Sequence, residues 1–344
     1  MEITTSVELS ARFAQSELDV VAIGNALVDV IATADDELVE RLGLVKSAMT
    51  LVDLERAQTI YEAMGATVEI SGGSAANTIA GVASLGGRAG FAGKVADDRF
   101  GEVFRQDFAA QGVELDVAVV TPSDGGTGRC HVLVTPDAQR TMATHLGVAN
   151  TLVPGDLDGS LFSRTRLTYL EGYLFDLPPA KQAIREAIEH THAADGLVAL
   201  SLSDSFCVER HRADFLELVT SHVDVVFANE AEARALFRSD DLSHALASFD
   251  EVGVLAAVTL GPRGVAVVVP AGTVEVPACE VDIVVDANGA GDLFAAGFLY
   301  ALAQGGDPVE AARLGSICAA EVIVHTGARP MADLAELATA EGLL

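Results

Sequence analysis

Asp286-Ala287-Asn288-Gly289-Ala290-Gly291-Asp292 is the stretch on which the reading of this chain turns. It follows a β-rich run at 281–285 and precedes an apolar, helix-forming run at 293–304, so the pattern predicts a strand, a turn of small residues and a helix start. Such a junction is an anion site, because the first amides of a helix lack intrahelical acceptors and the helix dipole adds to their positive end. Gly289 and Gly291 let the backbone approach a phosphate closely, since no Cβ intervenes. Two carboxylates beside an anion site need a reason. Asp292, in the first helical turn, is favoured in its charged form and can accept a proton from a hydroxyl. Asp286 can order Mg²⁺ or its waters, which turns repulsion into attraction. Read singly, either aspartate could as well stabilise a dipole or cap a turn; together they favour chemistry.

Working outward, strand-like runs at 18–24, 88–95, 167–170, 197–202, 223–227 and 255–260 alternate with amphipathic candidates at 180–194 and 208–221. This βα alternation predicts a mostly parallel sheet covered by helices on both faces, with ligand loops gathered at the carboxyl ends of the strands. The 344 residues are half hydrophobic but only 5% aromatic, so the core must be built from Val, Leu, Ile and Ala. Two stretches, 31–52 and 116–146, break the rhythm with short β-like runs and turn residues, and predict a small antiparallel lid. Residues 1–16 read as a polar arm, 17–330 as the main domain and 331–344 as a C-terminal helix.

Charge and cysteine usage narrow the function classes. A formal net charge of −29 repels phosphate backbones, which argues against nucleic-acid partners. Cys130, Cys207, Cys279 and Cys318 form no C-x-x-C pair, as expected of reduced thiols rather than a zinc site. The start, 1–17, lacks a signal-peptide pattern, and the apolar run at 293–303 is too short to span a bilayer, so the expectation is a cytoplasmic protein without a membrane partner. No Walker A motif, dinucleotide fingerprint, G-x-S-x-G elbow or H-E-x-x-H occurs.

Three further segments fit a phosphate-handling site. Gly72 and Gly73, in Ser71-Gly72-Gly73-Ser74-Ala75-Ala76-Asn77, would let a ligand lie against bare backbone, and Asn77 offers a donor and an acceptor suited to a vicinal diol; a plain turn is the competing reading. Asn229-Glu230-Ala231-Glu232 can supply oxygen ligands to a hard cation, and also reads as a helix cap with Glu three residues on. Thr259-Leu260-Gly261-Pro262-Arg263-Gly264 could wrap a nucleotide or merely join two strands. Glu171 and Ser203-Asp204 sit at strand ends, where buried or capping roles compete with phosphate-side ones.

These motifs, in this order, resemble those of the ribokinase-like (PfkB) family of carbohydrate and nucleoside kinases over about 19–329. The resemblance implies a three-layer α/β/α sandwich with a mostly parallel central sheet and a small β lid. It implies ATP and Mg²⁺ as cofactors and a sugar or nucleoside acceptor. Asp292 would be the catalytic base, and the Gly289, Ala290 and Gly291 amides would stabilise charge on the transferring phosphoryl group. Asp29, after Gly24-Asn25, would bind acceptor hydroxyls with Gly72, Gly73 and Asn77; Asn229, Thr259, Gly261, Arg263 and Gly264 would hold the nucleotide; Glu232 and Asp286 would serve the metal. Asn288 is similar to the adenosine-kinase branch, whereas Ala287 stands where that branch carries threonine. Adenosine or a related purine nucleoside is therefore the expected acceptor. A free-sugar kinase of the ribokinase or fructokinase type is the alternative, and a non-catalytic sensor on the same fold is a second class. Monomers and lid-mediated homodimers both suit the family.

Overall fold

The computed structural model describes residues 13, 16–122, 125–137, 139–270 and 272–344, so most of the expected N-terminal arm lies outside the described residues. The chain's first strand, β1 (Leu18–Ile23), is buried along its whole length. Its alternate residues face opposite ways, as strand geometry requires. Val20 and Ala22 join one core with Ile79, Leu293, Phe298 and Leu314 from helices Ser74–Ser84, Ala290–Ala303 and Pro308–Ile323. Val21 and Ile23 join a second core with Ile184, Phe215, Leu236 and Phe249 from helices Pro178–Ala193, Ser205–Ser221, Glu230–Phe237 and Leu242–Val252. Two cores on the two faces of one sheet make three layers, as the alternating pattern predicted.

Beside β1 run β5 (Ala89–Ala96), β6 (Glu114–Val120), β9 (Thr165–Glu171), β10 (Leu197–Ser201), β11 (Val225–Asn229) and β12 (Leu255–Thr259), all parallel. β13 (Val265–Val269) and β14 (Gly272–Val276) add an antiparallel margin, giving the order β14-β13-β12-β11-β10-β9-β1-β5-β6. A second sheet, ordered β3-β8-β7-β2-β4, contains β2 (Leu27–Thr33), β3 (Met49–Leu51), β4 (Val68–Gly72), β7 (Gly128–Val134) and β8 (Arg140–His145).

The structure redraws three expectations. Residues 116–120 belong to the main sheet, because helix Arg99–Ala110 carries the chain over in a crossover and lays β6 parallel to β5. The small sheet is mixed rather than antiparallel, since β2 pairs parallel with β7 and antiparallel with β4, and it recruits 68–72 from outside the expected segments. The run 281–285 is not a strand. It lies past the sheet's last strand, its Val285 amide donates to the Ile323 carbonyl, and Ile283 and Val284 are exposed. A β-branched pattern without a neighbouring ladder cannot satisfy its backbone as a strand. At the far end, helix Leu334–Ala340 falls within the expected C-terminal helix.

Candidate active site

The carboxyl ends of the parallel strands carry the expected residues to one edge. There Gly289 adopts φ 78° as the N-cap of helix Ala290–Ala303. That left-handed conformation suits glycine, and a Cβ here would also lie 2.7 Å from Ala328. Among the described residues the Gly289 and Gly291 amides make no backbone hydrogen bond, whereas the Ala290 amide donates to the Ala287 carbonyl at 3.3 Å. The turn thus offers free donors on both sides of Ala290, at the positive end of a fourteen-residue helix.

Asp292, one turn into that helix, is fixed by two donors from helix Ser74–Ser84: Ser74 Oγ to Oδ1 at 2.6 Å and Asn77 Nδ2 to Oδ2 at 2.9 Å. Burial raises its pKa, against the pull of those two bonds and of the Arg329 charge. Gly73 begins the same helix with φ 104°. Asp29 sits on β2 between Ile70 and Cys130 of the flanking strands, and the missing Cβ of Gly72 makes room for it, since one would lie 2.5 Å from the Asp29 carboxyl carbon. Burial pushes the Asp29 carboxyl up to about 6, although the charges of Arg329 and Arg140 draw it down. Asp29, Gly72, Gly73, Asn77 and Asp292 are therefore brought together, as expected.

Asp286 behaves differently from expectation. One oxygen accepts from the Asn288 amide at 3.0 Å; the other accepts from the Gly327 amide at 3.1 Å and pairs with Arg140 Nε at 2.9 Å, both side chains being 7% exposed. Its carboxylate shapes the turn and ties the small sheet to it through β8. Glu232 is buried and reciprocates with Asn229: its amide donates to Asn229 Oδ1 at 2.9 Å, and its carboxylate accepts from the Asn229 amide and Nδ2. The capping reading of Asn229-x-x-Glu232 holds, and burial pushes Glu232 up to about 7. Among the described residues no three His, Cys, Asp or Glu side chains come together as a ready metal cage.

On the other side of the turn from Asp292 opens a cleft of about 730 Å³, lined by Thr259, Gly261, Arg263 and Gly264, by Ala290 and Gly291, and by Phe294, Ser316 and Ala320. Its volume and largely apolar walls suit a heterocyclic base with a phosphate tail directed at the turn. Arg263 lines this cleft, but its guanidinium is held by Glu230, which also pairs with Arg234 at 2.5 Å. An exposed pair of that kind is weak and yields readily to a polyphosphate. Val281 and Val284, from the run expected to be a strand, form part of the wall.

A cleft opening at an anion turn, with Asp292, Asp29 and the bare backbone of Gly72 and Gly73 gathered beside it, suits the movement of a phosphoryl group. The family model described as pfkB family carbohydrate kinase matches residues 18–334. The chain belongs to the PfkB family. A solved adenosine kinase from Sinorhizobium meliloti is 47% identical, with a TM-score of 0.88 covering 95% of this chain and all of that one. A solved probable sugar kinase from Rhizobium etli is 41% identical, with a TM-score of 0.89 over 96% of this chain and all of the other. Adenosine kinase from Saccharomyces cerevisiae is 29% identical over 329 residues, 89% of this chain and 95% of that protein. As a PfkB kinase the chain is a phosphotransferase that uses ATP and an alcohol acceptor on a nucleoside or sugar, and the sensor reading falls away.

Several residues of this PfkB site escaped the sequence reading. Arg140 and Arg329 stand among ordinary surface-type residues in the sequence and gain their meaning only from distant partners. Ser74 lay inside a motif already read but was given no role. Glu171, for which a buried role was one reading, is a buried hub: it accepts from Asn25 Nδ2 at 2.7 Å and from the Ala75 amide at 2.9 Å, and burial pushes it up to about 7. Asp204 caps helix Ser205–Ser221 through the Cys207 amide.

Proposed function

We propose that this kinase transfers the γ-phosphate of ATP to a hydroxyl of a purine nucleoside, adenosine first among them. The observation that carries the reading is the placement of Asp292, held by Ser74 and Asn77 beside Asp29 and one residue beyond the free Gly291 amide. With the acceptor against Gly72 and Gly73 and gripped by Asp29, Asp292 takes the hydroxyl proton as the oxygen attacks phosphorus. The Gly289 and Gly291 amides receive the charge that develops on the phosphoryl oxygens. The small sheet, joined to the turn by Arg140 and Asp286, acts as the lid that keeps water from the reacting group.

Glu232, whose carboxylate is paired with no lysine or arginine among the described residues, is the group that would hold a hydrated Mg²⁺, a cation commonly held by one or two carboxylates together with substrate phosphates. When bound it neutralises phosphate charge. Asp286, already engaged by Arg140 and two amides, shapes the turn rather than binding the metal. Likeness to the Sinorhizobium meliloti adenosine kinase and the Asn288 signature support the nucleoside; likeness to the Rhizobium etli probable sugar kinase supports a free sugar as the second reading. Val45, Met49 and Leu51 are exposed on and beside β3, the edge strand that a lid-mediated homodimer would cover; a monomer is the alternative state. Use of ATP and four unpaired cysteines support a cytoplasmic location; no helix among the described residues is long and apolar enough to cross a membrane.

A coupled assay of ADP release over a panel of nucleosides and free sugars tests the acceptor. Asp292→Asn tests the base. Loss of a general base lowers kcat by about 10²–10⁴, and turnover within fivefold of wild type would remove Asp292 from that role.

A further inference from the structure

Arg329 takes no part in the reaction as described, yet it is built into the site from behind. The segment carrying it backs the anion turn: Gly327 donates to Asp286, and Ala328 is the residue packed closest to Gly289. Arg329 then turns its guanidinium on the acceptor loop. Nε and Nη2 donate to the Ser71 carbonyl at 3.0 and 2.8 Å, and Nη2 also donates to Ser71 Oγ at 2.7 Å. Ser71 immediately precedes Gly72 and Gly73, and its own amide and hydroxyl donate to Asp107. The guanidinium carbon lies 5.0 Å from the Phe108 ring centre.

Neutral groups, a carbonyl and a hydroxyl, take every hydrogen bond that Arg329 makes among the described residues. Among the described residues Nη1 is buried without a partner, and no carboxylate forms an ion pair with the side chain. A buried cation in that situation is costly unless nearby anions compensate it through space. Those anions are Asp107 from helix Arg99–Ala110, Asp29 from β2 and Asp292 from helix Ala290–Ala303. Facing the same two site carboxylates are Arg140 of β8, which acts on Asp29, and Glu171 at the end of β9, which repels Asp292 in turn. Burial draws Arg329 down to about 10 while the three aspartates oppose it, and by reciprocity Arg329 favours the ionised forms of Asp29 and Asp292.

We infer that Arg329 is a positioning residue for the kinase reaction: its charge balances Asp29 and Asp292, two carboxylates that the fold brings together, while its fork on Ser71 fixes the strand end and turn against which the acceptor lies. The inference rests on the roles proposed above for Asp29 and Asp292. A scaffold role alone would need the hydrogen bonds and the Phe108 contact but no charge. Charge and fork are separable. Arg329→Gln keeps a donor and drops the charge; Arg329→Lys keeps the charge and loses the fork.

The test is kcat/KM for the acceptor against pH, in wild type and both variants, with saturating ATP and Mg²⁺. In Arg329→Gln the acid limb moves up by about one pH unit, a tenfold loss on that limb. In Arg329→Lys the limb stays at the wild-type position while the acceptor KM rises. Equal losses in both variants with unmoved limbs would reduce Arg329 to scaffold, as would wild-type behaviour of Arg329→Gln. Should Arg329→Gln fail to fold, Arg329→Lys decides alone, because a limb displaced upward with the charge retained contradicts the inference. Asp292→Asn, run alongside, separates the two levels. Retained turnover there refutes the base assignment whatever Arg329 does, whereas lost turnover with an unmoved limb in Arg329→Gln refutes only the role given to Arg329.

Discussion

Replacing Asp29 by Asn should make the protein more stable and less active at once. In the folded chain the Asp29 carboxyl is pushed up to about 6 from an ordinary value of 3.8, chiefly by burial. A carboxyl whose folded pKa exceeds its unfolded one favours folding most when protonated. Its contribution is complete below about 3.8 and is lost as the pH rises through about 6. Asn mimics the protonated form at every pH. At pH 8 the variant should therefore gain up to about 3 kcal/mol, at 1.36 kcal/mol per pKa unit. With an unfolding entropy of about 2.1 cal/mol/K per residue over 344 residues, that corresponds to about 4 °C in Tm. The gain should shrink towards zero near pH 4. Activity should move the other way, because a hydrogen bond to a charged group is worth about 1.5–3 kcal/mol, and its loss raises the acceptor KM about 10- to 100-fold with a smaller change in kcat. Thermal melts of ligand-free protein from pH 4.5 to 8, paired with ADP-release kinetics at pH 8, measure both sides. A variant that melts below wild type at pH 8, or a Tm difference that ignores pH, would show that Asp29 is not held ionised at a cost.

Gly289→Ala should cost about 1–2 kcal/mol for the left-handed backbone alone, with the contact against Ala328 adding to it, and should lower kcat at least about tenfold by shifting the anion donors; a melt and a kcat both matching wild type would contradict the geometry of the turn. Ser316→Phe projects a ring into the cleft from helix Pro308–Ile323 and should raise the KM for ATP about tenfold or more while leaving the acceptor KM within twofold, as read by varying each substrate at saturation of the other. An unchanged KM for ATP would move the nucleotide elsewhere.

The layered sheet was legible because its signals are local. The buried runs of β1, β9, β10, β11 and β12 announce themselves in five to seven residues each, and the turn 286–292 combines glycines, a helix start and an acid in a single glance. What failed locally was 281–285, whose β-branched residues line a cleft instead of pairing, and 116–120, whose sheet is chosen by the preceding crossover helix rather than by its own residues. Partnerships were illegible for a different reason. Ser74 meets Asp292 across 218 residues and Ser71 meets Arg329 across 258, and nothing in a single chain marks either end of such a contact. Asp286 shows the consequence: its residue type and place suited a metal, and only the distant Arg140 discloses that its charge is already spent.

The same arginines resolve how a chain of net charge −29 can attract a polyphosphate. Exposed charges are screened beyond about 8 Å at physiological salt, so most of the acidic surface contributes little inside the site. Buried charges are screened far less, and there two arginines and a helix end offset part of the acidity, to which Glu171 also adds. Asp29, Asp286 and Asp292 face Arg140, Arg329 and the positive end of helix Ala290–Ala303. Arg140 and Asp286 pair at the turn, which leaves the free Gly289 and Gly291 amides as the donors that, on the function proposed above, a phosphate meets first. Arg329 stands behind the two remaining aspartates, so on the roles proposed above the carboxylates that hold and deprotonate an alcohol are compensated away from the phosphate rather than by it. On that reading the site separates its charges by depth: donors towards the nucleotide, acids towards the acceptor, and the Arg329 guanidinium beneath the acids.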